Sequence, residues 1–410
     1  MIDITGIRRN FPMLNNKKMQ GHDLIYFDNG ATTFKPQSVL DAMNHYYTDL
    51  SCNAHRGDYE LAYQLDQEFE AARAVAADFI NANEREIIFT SGASEGLNTV
   101  AQGYGRKFLR QGDIVLSTEA EHASCILPWM RVCEEVGAIL EYIPLDEQGR
   151  IGIEAVAECM SERVKVIVLA QISNVLGYEA PIREICRLAH QYGAVVVVDG
   201  AQSVPHMPID VAELDCDFLA FSAHKMCGPT GIGVLYGKYA LLDAMDPLYL
   251  GGGSNARFDM CGNILLKQPP YKFESGTANI AGILGMKAAM EYLNQIGMEQ
   301  IHAYEQSLHR HLIESLRSLD NIHLYNPQAD AAIATFNVKD VFAQDAATYF
   351  SAQGVAVRSG QHCAKLLTEK LNTSATVRAS LYFYNDMQEI ERFAQLCAGA
   401  NMKSCLDVYF

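Results

Sequence analysis

The sequence predicts an α/β protein, with a large domain built on a mostly parallel sheet and a smaller α/β C-terminal domain. Three observations point there. Between about Glu86 and Tyr236, short apolar runs alternate with amphipathic stretches of helix length, the pattern of repeated βαβ units. One of those runs, Ala194 to Val198, is apolar throughout, as a strand covered on both faces should be. Beyond about Ile280 the rhythm changes to long helical stretches, two further apolar segments and a closing helix.

Taken in order, the expected strands of the large sheet are Glu86–Thr90, Asp113–Ser117, Leu140–Ile143, Val164–Leu169, Ala194–Asp199, Asp217–Ser222 and Gly231–Tyr236. A glycine-rich loop follows at Gly251-Gly252-Gly253-Ser254, and Gln268-Pro269-Pro270 interrupts any regular element nearby. Helical patterns then run from about Ile280 to Leu319. Apolar segments lie near His323–Tyr325 and Ala331–Asn337, with a helix around Ala343–Ser351 and a last one from about Asp386 to Cys397. The expected division is an N-terminal segment, 1–23, packing on the small domain, a large domain over 24–279 and the small domain over 280–410.

Composition narrows the function classes. The chain has 410 residues, 49% hydrophobic and 20% charged, enough for a large core. With 32 Lys plus Arg against 49 Asp plus Glu, its formal net charge of -17 argues against nucleic acid or an anionic membrane as partner and favours a small-molecule substrate. The first residues lack the apolar core of a secretory signal and no apolar run is long enough to span a bilayer, so a cytoplasmic protein is expected. Eleven cysteines show neither C-x-x-C nor zinc-type Cys/His spacing, so no metal is expected and most thiols should be reduced, buried and inert.

The chemistry concentrates where predicted strands end. Asp199 closes the run Val195–Val198, at the end of a buried strand where open α/β sheets bind ligands. Asp is also common as a helix cap, but at this position it can keep a heterocyclic nitrogen protonated. Phe221-Ser222-Ala223-His224-Lys225 meets the same end of the sheet. A lone Lys is ordinarily a solvated surface charge; here Ser222 and His224 flank it with phosphate-type donors, and Gly228-Pro229-Thr230-Gly231 allows a close turn. In Phe89-Thr90-Ser91-Gly92-Ala93-Ser94 a strand passes through glycine into a helix, whose unpaired first amides can seat a phosphate. An ordinary capped turn would look similar. Glu121-His122 follows another strand, and a flat ring there could stack on a cofactor and move protons, although a solitary His is usually structural. An amine that forms an imine, an anion for a pyridine nitrogen and phosphate donors are the parts of a pyridoxal phosphate site, with Lys225 as the Schiff-base lysine.

On these residues the chain resembles the class V aminotransferase-like superfamily, and within it the Suf-type cysteine desulfurases. The likeness runs from Asp28-Asn29-Gly30-Ala31-Thr32 to the last helix. Its most specific stretch is Val357-Arg358-Ser359-Gly360-Gln361-His362-Cys363-Ala364, similar to the R-x-G-H-H-C-A segment around the desulfurase nucleophile. Val198–Gln202 and Ser222–Lys225 match the cofactor motifs, and Ile172–Gly177 and Phe273–Thr277 match two further segments. The resemblance implies the type I fold of pyridoxal-phosphate-dependent transferases and the conversion of L-cysteine to L-alanine with a persulfide left on Cys363, for sulfur transfer in iron–sulfur cluster assembly. It implies that Lys225 carries the cofactor and shuttles protons, Asp199 pairs with the ring nitrogen, Gln202 bonds the ring oxygen and His122 stacks on the ring. By the same resemblance Ala93, Ser94, Ser222 and His224 hold the phosphate, Thr277 reaches the site of the other subunit of a homodimer, Asn174, Arg358 and Arg378 bind the substrate, and a small Suf-type protein accepts the sulfur. An Arg can grip a carboxylate in two parallel bonds, an independent warrant for Arg378.

Two positions depart from the family pattern. Gln361 stands where the first of two histidines is usual, and Gly30 replaces an alanine. Gln361 cannot titrate, so it can influence the nucleophile only by hydrogen bonding. Competing readings are a selenocysteine lyase or related aminotransferase, a silent cofactor-binding or sulfur-carrier protein, and a nucleotide-binding module built on Gly228–Gly233. The last has the wrong glycine spacing for a dinucleotide fingerprint.

Overall fold

The computed structural model describes residues 2–409. Its main sheet has seven strands: β1 (Ile87–Thr90), β2 (Ile114–Ser117), β3 (Ile139–Tyr142), β4 (Val164–Ala170), β5 (Val195–Asp199), β6 (Phe218–Ser222) and β7 (Gly233–Gly237). They lie in the order β1-β7-β6-β5-β4-β2-β3, and β7 alone runs antiparallel to its neighbours. All seven strands expected from the sequence are present, with ends shifted by two residues at most. Glu86 falls outside β1 because Asn83 and Glu86 close a capping box around a 3-10 turn.

Burial explains why the β5 run is apolar without alternation. Val196 and Val198 enter one hydrophobic cluster, while Val195 and Val197 enter another on the opposite face of the sheet. With both faces covered, a polar residue has nowhere to go until the strand ends at Asp199.

A second sheet holds β8 (Ile322–Leu324), β9 (Ile333–Val338), β10 (Arg358–Gly360) and β11 (Thr376–Ser380) in the antiparallel order β8-β9-β11-β10. The long helical stretch expected over Ile280–Leu319 is two helices, Ile280–Ile296 and Met298–Arg317. They part at Gly297, whose φ of +93° an L side chain rarely adopts. The helix expected to close the chain, Met387–Gly399, is capped by Asp386 and Glu389 in a second capping box, but a short further helix, Met402–Leu406, follows it. A two-stranded ribbon, Asn255–Phe258 with Ile264–Leu266, follows the glycine-rich loop and was not expected.

The N-terminal stretch crosses between the two sheets. Arg8 pairs with Glu389 at 2.9 Å, and the Phe11 ring packs on Tyr292, Phe383 and Tyr384. Ile25–Tyr26 then pairs in parallel with Val355–Ala356, and Asp28 bridges to Ser380 at the end of β11. This crossing delivers residues 28–35 to the gap where the ends of the main sheet meet the second sheet. Among the described residues, no helix is long and apolar enough to cross a membrane.

Candidate active site

The ends of the parallel strands open onto one cavity, with the second sheet as its far wall. After β1, Gly92 turns the chain with φ +150°, and the helix Ala93–Val100 begins. The Ala93 amide donates to Ser222 Oγ at 2.8 Å, and Ser94 Oγ lies 2.6 Å from Ser124 Oγ. A Cβ at residue 92 would stand 3.1 Å from Ser222 Oγ, so glycine lets the two strand ends approach.

His122 follows β2 and caps the helix Ala123–Val136, its Nδ1 accepting from the Ser124 amide at 3.1 Å. That bond leaves the proton of the neutral ring on Nε2. Burial lowers its pKa, against the opposing pull of Asp199. Next to it, Glu121 is buried with its carboxylate accepting from Thr118 Oγ1 at 2.6 Å and the Ala170 amide at 2.7 Å. Burial pushes that carboxyl up to about 7.

β5 ends in Asp199, whose Oδ1 accepts from the Ala201 amide at 3.0 Å. Gln202 donates from Nε2 to the Gly30 carbonyl at 2.9 Å, while its Oε1 is buried without a partner among the described residues. β6 runs into the turn Ala223–Lys225, which brings Ser222, His224 and Lys225 to the cavity. Burial first, then Arg378 and Arg358, lowers the Lys225 pKa to about 8, with Asp199 opposing. Burial and the Lys225 charge bring His224 down to about 4.

These groups fit pyridoxal phosphate. Neutral His224, the hydroxyls of Ser94 and Ser222 and a helix N-terminus form a donor set for a phosphate. Asp199 offers the one anion suited to a protonated ring nitrogen, Lys225 the amine, and Gln202 an acceptor still lacking its donor.

The second sheet contributes cations. Arg358 and Arg378 are direct partners in the ladder between β10 and β11, and both line the cavity. Arg378 is 1% exposed, donating to the Asn174 carbonyl at 2.9 Å and to Asp28 Oδ1 at 3.1 Å. Burial is the largest influence lowering its pKa, and Asp28 works against it. Asn174 lines the cavity and donates to the His362 carbonyl at 2.8 Å.

Cys363 stands at the cavity edge, exposed, with Arg358 Nη2 3.8 Å from its Sγ. Cys261 is the one other exposed thiol; seven of the eleven are buried. His362 and Cys363 both have positive φ, +51° and +59°, a sparsely populated region for residues with side chains. Their backbone is held from outside: the Ala123 amide donates to the Cys363 carbonyl at 2.7 Å.

Eleven of the thirteen candidate residues therefore line one cavity: Ala93, Ser94, His122, Asn174, Asp199, Gln202, Ser222, His224, Lys225, Arg358 and Arg378. Cys363 lies beside it through Arg358. Thr277 does not join them; it is exposed, in a neighbouring cleft with Ser91 and Glu95. Three positions matter more than their sequence context suggested. Asp28 compensates Arg378. His362, not Gln361, is the buried ring, bonded to Thr376 Oγ1 at 2.9 Å, with burial and the two arginines bringing its pKa to about 3. A Cβ at Gly30 would sit 3.2 Å from the Arg378 guanidinium, so the departure from alanine leaves that group room. A carboxylate in an otherwise uncharged N-terminal motif was the available signal for Asp28. His362 and Gly30 stood in motifs quoted above, but nothing local showed the distant partners that give them these roles.

Comparison with known proteins agrees with this arrangement. The family model described as aminotransferase class-V matches residues 25–393. A probable cysteine desulfurase of Halalkalibacterium halodurans is 44% identical over 392 residues, covering 95% of this chain and 96% of its own. A probable cysteine desulfurase of Synechocystis is 43% identical over 95% of this chain and 93% of its own. Among solved structures, the cysteine desulfurase CsdA of Escherichia coli in an S-sulfonic acid form superposes with a TM-score of 0.90 at 34% identity, covering 100% of this chain and 99% of that one. The apo cysteine desulfurase of Thermococcus onnurineus gives 0.92 at 36%, covering 97% and 98%. With the model spanning most of its length and these relatives aligned nearly end to end, the chain belongs to the aminotransferase class-V family.

Proposed function

We propose that the protein is a cysteine desulfurase that binds pyridoxal phosphate through Lys225 and transfers the sulfur of L-cysteine to Cys363, leaving L-alanine. One observation carries the reading: a single cavity gathers an amine, an anion, phosphate donors and two guanidiniums, with an exposed thiol beside it. The full-length relatives named above carry the same activity in their names.

Ser94, Ser222 and His224 would hold the phosphate, Asp199 the ring nitrogen, Gln202 the ring oxygen, and His122 one face of the ring. When bound, the cofactor supplies an electron sink for negative charge developing at the α-carbon of an attached amino acid. Arg378 and Arg358 orient the substrate by its carboxylate, with Asn174 adjacent. Lys225, whose lowered pKa leaves a usable fraction of neutral amine near neutral pH, takes the α-proton. The Cys363 thiolate attacks the substrate sulfur; an S–S bond forms as the C–S bond breaks, with its electron pair left on carbon. That β-carbon takes up a proton, equivalent to the one Cys363 released on forming its thiolate, Lys225 returns the α-proton to the α-carbon, and alanine departs.

The same reading divides the chain at 24–279 and 280–410, with 1–23 packed across the smaller part. For the smaller part it is supported by a hydrophobic cluster running from Leu308 to Cys405; that cluster also takes in Ile25 and Phe27, while Phe11 and the helix Ile280–Ile296 pack in the cluster of the main sheet. A homodimer is supported by the exposed apolar ribbon of Phe258, Met260, Ile264 and Leu265 and by Thr277 standing open to a partner. Sedimentation should give a dimer, and a fully active monomer would contradict it. Eleven free cysteines suit a reducing, cytoplasmic setting. Iron–sulfur cluster assembly through a Suf-type acceptor is the proposed destination of the sulfur.

The deciding experiment is incubation of the purified protein with cysteine and a thiol reductant, measuring alanine and sulfide together. Equal amounts of both are expected; production of neither, in protein carrying its cofactor, would overturn the assignment.

A further inference from the structure

Four donors converge on one carbonyl, that of His224, whose peptide bond leads into Lys225. The Thr33 amide donates at 2.9 Å, the Thr32 and Thr33 hydroxyls at 3.0 and 3.1 Å, and Lys35 Nζ at 3.2 Å. A carbonyl oxygen has two lone pairs, so this acceptor is crowded, and one of its donors is a cation. Lys35 is half-buried, and among the described residues no carboxylate figures in the groups acting on it. Its other contacts are the Thr33 carbonyl and, at 3.3 Å, Thr32 Oγ1. Holding an ammonium away from water without an anion is costly, and burial brings its pKa down to about 8. A turn that only needed closing would be satisfied by the Thr33 amide.

The grip extends past the lysine. Thr33 Oγ1 accepts from the Cys227 amide at 2.8 Å, so one threonine holds the chain on both sides of Lys225. The segment is itself fixed at its other end, where the Gly30 amide donates to Ser380 Oγ at 2.8 Å and the Gly30 carbonyl accepts from Gln202.

We propose that Lys35 is a positioning residue for Lys225: its ammonium, with the hydroxyls of Thr32 and Thr33, fixes the His224 carbonyl and thereby the direction in which Lys225 enters the cavity. The inference rests on the reading of Lys225 as the cofactor-bearing amine. Lys35 itself does not line the cavity.

The test strips the cofactor from the unaltered protein and from Lys35→Met and Lys35→Arg, then adds pyridoxal phosphate back. Attachment is followed by the visible band and by borohydride trapping on the peptide containing Lys225. Lys35→Met should attach about tenfold more slowly, and once loaded should lose kcat for cysteine by about the same factor at unchanged KM, because a displaced amine costs rate and not substrate binding. Lys35→Arg should recover to within about threefold, since it restores a cation and its donors. Attachment by Lys35→Met at the unaltered rate overturns the inference, even if its melting temperature falls, because a purely structural residue would alter stability alone. If Lys35→Met yields no folded protein, Thr32→Val decides: it removes one hydroxyl donor at nearly constant volume, slower attachment supports the inference and an unchanged rate overturns it. Failure of the unaltered protein to trap cofactor on Lys225 would instead remove the underlying reading, and the inference with it.

Discussion

Arg358 and Arg378 face each other directly across adjacent antiparallel strands, two like charges at positions where opposite charges are the stabilising choice. Asp28 compensates Arg378 at 3.1 Å. On the proposed reading a substrate carboxylate would supply the missing anion, which would give an energetically awkward pair a use.

Replacing Arg378 by Lys should therefore raise KM for cysteine by about tenfold to a hundredfold, because a single ammonium cannot reproduce a bidentate grip. Cysteamine, which lacks the carboxylate, should be a poor substrate for the unaltered protein. Steady-state alanine or product assays check both. An unchanged KM in Arg378→Lys would place carboxylate recognition elsewhere. Asp28→Asn should lower stability by roughly 3 kcal/mol, since it leaves a buried guanidinium without its anion; denaturant titration reads this directly.

Cys363→Ala should separate binding from sulfur transfer. Cysteine should still perturb the cofactor spectrum, because the cavity residues are untouched, while sulfide release falls by roughly a hundredfold or more. Cys261→Ala removes the other exposed thiol and should leave turnover unchanged. Sulfide release at the unaltered rate from Cys363→Ala would assign the nucleophile to another cysteine.

Glu121 makes stability depend on pH. Its carboxyl titrates near 4.5 when unfolded and at about 7 when folded, burial being the main cause. A raised folded pKa means the unfolded state gives up its proton first, so the stability Glu121 contributes is complete below pH 4.5 and is lost as pH rises through 7. Glu121→Gln does not titrate and can still accept from the Ala170 amide. Its unfolding free energy should gain on the unaltered protein by about 1–3 kcal/mol between pH 4.5 and 8. Parallel pH curves for the two proteins would show that Glu121 is not the buried acid described here.

These predictions draw on two kinds of residue, and only one kind was readable in the sequence. Asp199 and Lys225 were legible because each ends an apolar strand, and a strand end in a parallel sheet is a ligand position whatever the rest of the chain does. Asp28, Gly30 and His362 were not, because their roles arise from partners about 350 and 14 residues away: Arg378 for the first two and Thr376 for the third. The fold divides in the same way. Buried strands of the main sheet announced themselves as apolar runs, whereas Arg358-Ser359-Gly360 is a strand only because β11 offers it a ladder. The ribbon at Asn255–Leu266 packs little of its own surface, so no periodicity marked it beforehand.

Sulfur leaving Cys363 should need a partner protein. The sequence placed only about a dozen residues between Cys363 and Val377, a short tether, and the geometry shortens it further. Helix Lys365–Lys370 begins two residues after the cysteine and takes up much of the remaining length. The Cys363 carbonyl accepts from Ala123, the His362 carbonyl from Asn174, and the Ala364 amide donates to Gln361 at 2.9 Å. Two bonds to other parts of the molecule, with a third closing the turn on itself, leave the backbone little travel, so side-chain rotation is the main freedom of a persulfide formed there. A thiol arriving from solution must reach the sulfur in place, beside the Arg358 guanidinium. Turnover with cysteine and low reductant should accordingly be slow, and a small acceptor protein with a reactive cysteine should raise steady-state alanine production by about tenfold or more by bringing a thiol to the confined sulfur. Alanine measured at saturating cysteine, with and without the acceptor, provides the check. If the enzyme alone already runs at the stimulated rate, Cys363 moves more freely than its hydrogen bonds allow, and the confinement argument fails while the desulfurase reading stands.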